Sequence, residues 1–217
     1  MSISANDFTS CLKGRKYRAI YADPPWSFRN WSAKGTGRNA VSHYDCLDFD
    51  ALARLPVSDV AADDCVLFLW AVDPLLPRAF DLIKAWGFEY KTVGFYWVKH
   101  NRSGEGFFTG LGYWTRANPE QCLLATRGKP RRRAKDVRRL VVDHRREHSR
   151  KPDQVRERIE RLVDGPYLEL FARETRPGWD CWGDQAGLFD QGEVATRRQP
   201  SRLVGGEHRP ALGMSAT

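Results

Sequence analysis

The four residues Asp23-Pro24-Pro25-Trp26 follow the short apolar run Arg18-Ala19-Ile20-Tyr21-Ala22. They bring together a carboxylate, a backbone carbonyl held by proline geometry and a large aromatic face. Two consecutive prolines cannot continue a central strand, so the run reads as a strand ending in a rigid turn. Such a set suits a flat ring that bears an amine. The exocyclic amine of adenine is a poor nucleophile because its lone pair is delocalised into the ring. Asp23 and the Pro24 carbonyl, accepting hydrogen bonds from its two N–H groups, would draw the nitrogen toward a tetrahedral, more nucleophilic geometry. The gain is electrostatic and positional, aimed at the positive charge that develops as nitrogen attacks an electrophile. Trp26 would stack on the base, a contact worth about 1–3 kcal/mol that accepts a base presented outside a duplex. Taken alone, the same residues also describe an ordinary turn with a core aromatic.

Placing this turn requires a sheet. Residues 27–45 are rich in Gly, Ser and Asn without periodicity and read as a long loop, after which Asp48 can cap a short helix reaching about Leu55. Cys65-Val66-Leu67-Phe68-Leu69-Trp70 is continuously apolar, as in a strand buried on both faces. Pro74 to Trp86 sets Leu76, Phe80 and Ile83 on one helical face and stops at Gly87. Glu89 to Lys99 and Glu120 to Thr126 read as strands around a glycine-rich loop at 101–112. Pro152 opens a helix with the stripe Val155, Ile159 and Leu162, closed by Asp164-Gly165-Pro166, and strands follow at Tyr167 to Ala172 and Trp179 to Trp182. This alternation predicts one α/β domain over 1–190 with a mostly parallel sheet, helices on both faces and ligands at the carboxyl ends of its strands, where Asp23 sits. Residues 191–217 carry no apolar pattern and read as a disordered tail.

The chain has 217 residues, 41% hydrophobic, with eight Trp, enough for one core and incompatible with a disordered chain. There is no apolar run of about 18 residues and no secretory pattern at the start, so the expectation is a cytoplasmic protein without membrane attachment. Five scattered cysteines without a C-x-x-C pair predict reduced thiols, with neither a disulfide frame nor a metal site. The net charge of +8 is concentrated, because residues 129–151 alone hold 11 basic and 3 acidic residues. A local cationic stretch suits a polyanion, although a solvated basic loop would look the same.

With these elements in order, the sequence resembles the adenine-N6 methyltransferases related to the catalytic subunit of the eukaryotic mRNA adenosine methyltransferase. The resemblance extends to Gly112-Tyr113-Trp114-Thr115-Arg116, His148-Ser149-Arg150-Lys151-Pro152-Asp153, Glu169-Leu170-Phe171-Ala172-Arg173 and Trp179-Asp180-Cys181-Trp182-Gly183-Asp184-Gln185, and covers about 17–187. It implies a Rossmann-like class I methyltransferase using S-adenosylmethionine, in the permuted order called beta class. Asp23, Pro24, Pro25 and Trp26 match the catalytic turn, with Asp23 also against the donor. Lys151 matches a lysine that pairs with the methionine carboxylate. Glu169, Phe171 and Arg173 match the strand end beside the cofactor, and Asp184 and Gln185 match an Asn-Gln pair that reaches ribose and adenine. Asp184 departs from that pattern: it keeps acceptors and loses the amide donor, which favours a ribose over an adenine contact. The chemistry of a zwitterionic cofactor with a ribose agrees, since it needs a cation and hydroxyl acceptors; Lys151 as a solvated charge and Glu169 as an edge-strand surface residue are the plainer readings.

The loop after the turn and the basic segment before Lys151 are expected to flank one cleft. Arg29, Lys34, Arg38, Arg131, Arg132, Arg133, Arg138, Arg139, Arg145 and Arg146 would then contact phosphates around an extruded adenosine. The expected function is methyl transfer to adenine in nucleic acid, with DNA favoured on family analogy for a bacterial or phage-encoded enzyme. An RNA adenosine methyltransferase and a non-catalytic nucleic-acid-binding subunit are the alternatives, and a homodimer could supply sequence preference.

Overall fold

In the computed structural model, the residues described are 8, 10–12, 14–26, 49–101, 103–146, 150–188 and 190, together with the backbone of 204–205. The central element is a mixed eight-stranded sheet with the spatial order β5-β3-β4-β2-β1-β6-β7-β8. Its strands are β1 (Tyr17–Ala22), β2 (Ala61–Ala71), β3 (Glu89–His100), β4 (Glu120–Arg127), β5 (Leu140–His144), β6 (Tyr167–Leu170), β7 (Trp179–Trp182) and β8 (Val204–Gly205). β1 lies between β2 and β6, parallel to both, with Ile20 opposite Leu67 on one side and Leu168 on the other. β7 continues in parallel beside β6.

The expected mostly parallel sheet is thus modified by β4 and β8, which run against their neighbours. For β4 the cause is local. No helical pattern separates β3 from β4, only the glycine-rich stretch, and two strands joined without a crossover helix return antiparallel. A second departure is β5, which pairs in parallel with β3 from inside the segment read as a basic loop (Tyr96 opposite Leu140, His100 opposite His144). Within the segment read as a tail, 204–205 pair with β7, and the rest of 191–217 lies outside the described residues.

β2 alternates between two cores, which explains its continuous apolar run. Leu67 and Leu69 join Ile20 and Ala22 of β1 on one face, beneath α1 (Phe49–Ala53) and α2 (Leu76–Ala85), whose Leu52, Ala79, Leu82 and Ile83 are buried there. Val66, Phe68 and Trp70 join Ala19 and Tyr21 on the other face, covered by Val155 and Ile159 of α3 (Asp153–Leu162). Burying one such side chain stabilises by about 1.5–3 kcal/mol. The Trp86 indole N–H donates to the Leu52 carbonyl at 2.9 Å and ties α2 to α1. Asp48, read as the cap of α1, lies outside the described residues. Among the described residues no helix is long and apolar enough to cross a membrane.

Candidate active site

Because β1 and β6 are parallel neighbours, the residues that follow them emerge side by side at the carboxyl edge of the sheet. Asp23 follows β1; Phe171, Arg173 and Glu174 follow β6. Asp23 Oδ2 accepts from Lys151 Nζ at 2.8 Å and from an Arg173 guanidinium nitrogen at 3.5 Å. Lys151 arrives from the start of α3, and its ammonium also lies 3.3 Å from Glu120 Oε2. Glu120 is the first residue of β4, which runs against β2 and so begins at this same edge. Its other oxygen accepts from Lys99 Nζ at 2.6 Å. Burial alone would raise the Glu120 pKa, but Lys151 and Lys99 outweigh it and hold the carboxyl down at about 2. Burial acts against the Lys151 charge, and Asp23 and Glu120 more than restore it, raising that pKa. The ammonium also sits 5.3 Å from the centre of the Trp70 ring.

A second ion cluster backs the first. Arg156 of α3 grips Glu169 with two bonds, Nε to Oε2 at 2.8 Å and a terminal nitrogen to Oε1 at 3.1 Å. The same guanidinium bonds Glu174, whose other oxygen takes Arg150. Burial pushes the Glu169 pKa up; Arg156 opposes this, while Glu174 and Asp23 add to it. These groups and Tyr21, Asp23, Lys151, Phe171 and Arg173 line one pocket at the strand ends. Phe171 turns there with φ of +61°, its ring edge-on to Trp182 at 5.7 Å. Gly183 makes room for that turn, since a Cβ on it would come within 2.8 Å of the Ala172 main-chain N and O.

The structure therefore gathers Asp23, Lys151, Glu169, Phe171 and Arg173 around one pocket. Two of the expected site residues, Glu169 and Trp26, also carry structural contacts. Each oxygen of Glu169 accepts one bond from Arg156, so this carboxylate braces α3 against β6 and keeps a further lone pair on each oxygen. Trp26 is only 5% exposed; its ring packs in the core and its indole N–H donates to the Trp70 carbonyl at 3.0 Å. It anchors the turn, and its face is not available for stacking. The Pro24 carbonyl accepts the Trp26 N–H at 2.8 Å, which leaves a second lone pair. Pro24 is buried and Pro25 half-buried. Asp184 is exposed and Gln185 half-buried just beyond β7, outside the lining of the pocket.

Among the described residues, the arginines do not flank a single cleft, because β5 carries the basic segment from one edge of the sheet to the other. The Arg133 N–H donates to the Leu162 carbonyl at 2.8 Å, at the far end of α3 from Lys151, and its side chain faces Asp164. Arg131 and Arg132 precede it, and Arg139 bonds Thr92 near the start of β3 at 3.0 Å. Arg158 holds the Arg138 carbonyl at 2.8 Å. Of the expected phosphate contacts that are described, Arg145 and Arg146, after β5, reach the carboxyl edge, where Arg150 and Lys151 also lie. Arg145 stacks 4.0 Å over the Phe108 ring, and Arg146 pairs with Asp153 at 2.6 Å. Arg29, Lys34 and Arg38 lie outside the described residues.

The network also uses residues that the sequence reading passed over: Lys99, Glu120, Arg150, Arg156 and Glu174. Arg156 left a signal, a charge beside Val155 on the stripe that α3 buries, and such a position demands a carboxylate partner. Glu120 and Lys99 left none, since each begins or ends a strand in an unremarkable way.

A mixed α/β sheet that sets a carboxyl-bearing turn and a cationic pocket at its strand ends is the framework of a group-transfer enzyme. The family comparison specifies which. The model of the MT-A70 family matches residues 17–185, and the chain belongs to this family of methyltransferases. It is 36% identical over 208 residues to the Type II methyltransferase M.MunI of a Mycoplasma species, covering 84% of this chain and 85% of that protein. The human N(6)-adenosine-methyltransferase catalytic subunit METTL3 is 31% identical over 193 residues, with 85% of this chain and 31% of that one covered. The mouse N(6)-adenine-specific methyltransferase METTL4 is 32% identical over 203 residues, with 83% and 41% covered. The chain thus spans most of the Mycoplasma enzyme and less than half of either mammalian one.

Proposed function

We propose that this protein transfers the methyl group of S-adenosylmethionine to the exocyclic amine of adenine in nucleic acid, DNA being the favoured substrate, on a Rossmann-like class I fold. The observation that carries the reading is the position of Asp23 at the carboxyl end of β1, beside Lys151 and Arg173. Support for the fold comes from six strands running one way with helices on both faces. DNA is favoured because the match extends over 85% of the Type II methyltransferase and 31% of METTL3.

The donor set of the pocket fits the cofactor, with cations for a carboxylate, an aromatic side and a carboxylate facing inward. S-adenosylmethionine supplies an electrophilic methyl group on a positively charged sulfur. Lys151 and Arg173 would hold its carboxylate, Phe171 would pack along it, and Asp184 and Gln185 would take the ribose and adenine. Asp23, as the carboxylate, and the free lone pair of the Pro24 carbonyl accept the two amine N–H bonds and orient the nitrogen. Their interaction strengthens as positive charge develops, so it acts on the rate more than on binding. Removing Asp23 takes away an acceptor made for that charge.

The test incubates wild-type protein and Asp23→Ala with labelled donor and single- or double-stranded DNA or RNA, followed by digestion and detection of N6-methyladenine. Wild type is expected to label adenine in DNA. Asp23→Ala is expected to lose transfer while donor affinity by calorimetry stays within about tenfold. Labelling of RNA alone would select the RNA reading, which the METTL3 identity favours. Transfer to neither polymer by a folded, donor-binding protein would overturn both.

A further inference from the structure

We propose that Trp114, with Tyr113 beside it, is a platform on which bases of the nucleic-acid strand stack next to the Asp23 site; this rests on the nucleic-acid reading above. Trp114 is fully exposed at 105% and adopts φ of +64°. A bulky residue in that left-handed region costs about 1–3 kcal/mol, and an indole in water returns nothing to the fold. The surrounding loop nevertheless dictates the conformation.

That loop is clamped at its base. The Gly110 N–H donates to the Ala117 carbonyl at 2.7 Å. The Asn118 side chain accepts from the Lys99 N–H at 3.0 Å and donates to the carbonyls of Lys99 at 2.9 Å and Phe108 at 2.5 Å. At the tip, a Cβ on Gly112 would come within 2.2 Å of the Thr115 carbonyl, so only glycine permits the reversal that turns Trp114 outward. The clamp fixes the backbone that carries the ring, so binding needs no reordering of the loop.

The position and charge of the loop select the partner. Lys99, which anchors Asn118 through its backbone, also bonds Glu120, and Glu120 shares Lys151 with Asp23. The platform and the proposed catalytic carboxylate therefore stand on one connected network at the same edge of the sheet. Residues 106–119 contain no Asp or Glu. Exposed Phe107 and Leu111 extend the apolar surface, and Arg116 and Arg145 lie exposed at its margins. Aromatic faces interleaved with guanidinium groups suit stacked bases and their phosphates.

The test measures binding of a fluorescent oligothymidylate of about 20 nucleotides, which offers bases to stack and no adenine to methylate. Trp114→Ala is expected to melt like wild type, because the ring is exposed. It should bind the strand about tenfold more weakly or worse, with an unchanged slope of log Kd against log salt, because stacking neutralises no phosphate. Trp114→Phe should recover most of the affinity. On an adenine substrate, Trp114→Ala should raise KM and leave kcat near wild type. Unchanged affinity in Trp114→Ala would overturn the proposal, as would failure of wild type to bind the strand. So would a shift from dimer to monomer in sedimentation with affinity per protomer unchanged, which would make this surface a contact between copies. Strand binding that depends on Trp114 without any methyl transfer would uphold the platform and overturn only the transfer reading.

Discussion

Glu120 links Lys99 to Lys151, the lysine that bonds Asp23. Its carboxyl is held down at about 2 from an ordinary 4.5, burial raising it and Lys151 and Lys99 together lowering it further. A depressed carboxyl contributes stability that is complete above its unfolded value and lost as pH falls through the folded one. The loss attached to Glu120 therefore falls between pH 4.5 and about 2. Glu120→Gln should cost on the order of 2 kcal/mol at pH 7, because two partly buried ammonium groups lose a counter-charge. It should also flatten the acid limb of unfolding free energy measured by denaturant at a series of pH values. An acid limb identical to wild type would show that the lysines do not depend on this carboxylate. At this scale the sequence supplied side-chain chemistry and left the partners open. Glu169 has the right charge for a ribose, and nothing beside it in the chain marks Arg156 as the partner of its two oxygens. Trp26 has the right face for a base, yet the core and the Trp70 carbonyl hold it.

The strand ends of β6 and β7 are where local chain geometry controls the pocket. The Ala172 N–H donates to the Trp182 carbonyl at 3.0 Å, and Gly183 passes so close that a Cβ would sit 2.8 Å from main-chain atoms of Ala172. Backbone cannot swing aside as a flexible side chain can. Gly183→Ala should therefore separate the two strand ends, lower Tm by about 3–10 °C and weaken donor binding, since Phe171 and Arg173 flank the displaced residue. Thermal melting and calorimetry on the same protein check this, and a variant with wild-type values in both would show that the crossing yields freely. β5 shows the limit of local reading. Leu140-Val141-Val142 is too short an apolar run to stand out among arginines, and its strand character comes from pairing with β3.

Across the whole molecule, the basic segment behaves differently from its appearance in the composition. Because β5 spans the sheet, Arg131, Arg132 and Arg133 lie by the carboxyl terminus of α3, roughly 15 Å of helix from Lys151. Replacing all three with Ala should leave the slope of log Kd against log salt within about one unit of wild type, since a phosphate contact contributes close to one unit each. A fall of two or three units would mean that nucleic acid wraps around this end of the sheet as well. The exposed Arg133–Asp164 pair should contribute at most about 1 kcal/mol to stability, so the triple variant is expected to fold normally.

What the sequence determined by itself is what neighbours along the chain decide. The Asp-Pro-Pro turn stops β1, the continuous apolar run makes β2 buried on both faces, the stripe of Val155 and Ile159 defines α3, and the later segments reveal the family. What only the tertiary structure decided is which charges meet. Asp23 and Lys151 are 128 positions apart, and Lys99 and Glu120 join them because β4 runs backward and begins at the edge where β1 ends. Local patterns record how a segment buries its own side chains; the partner of a charge depends on strand order and direction, which arise only when distant segments pair.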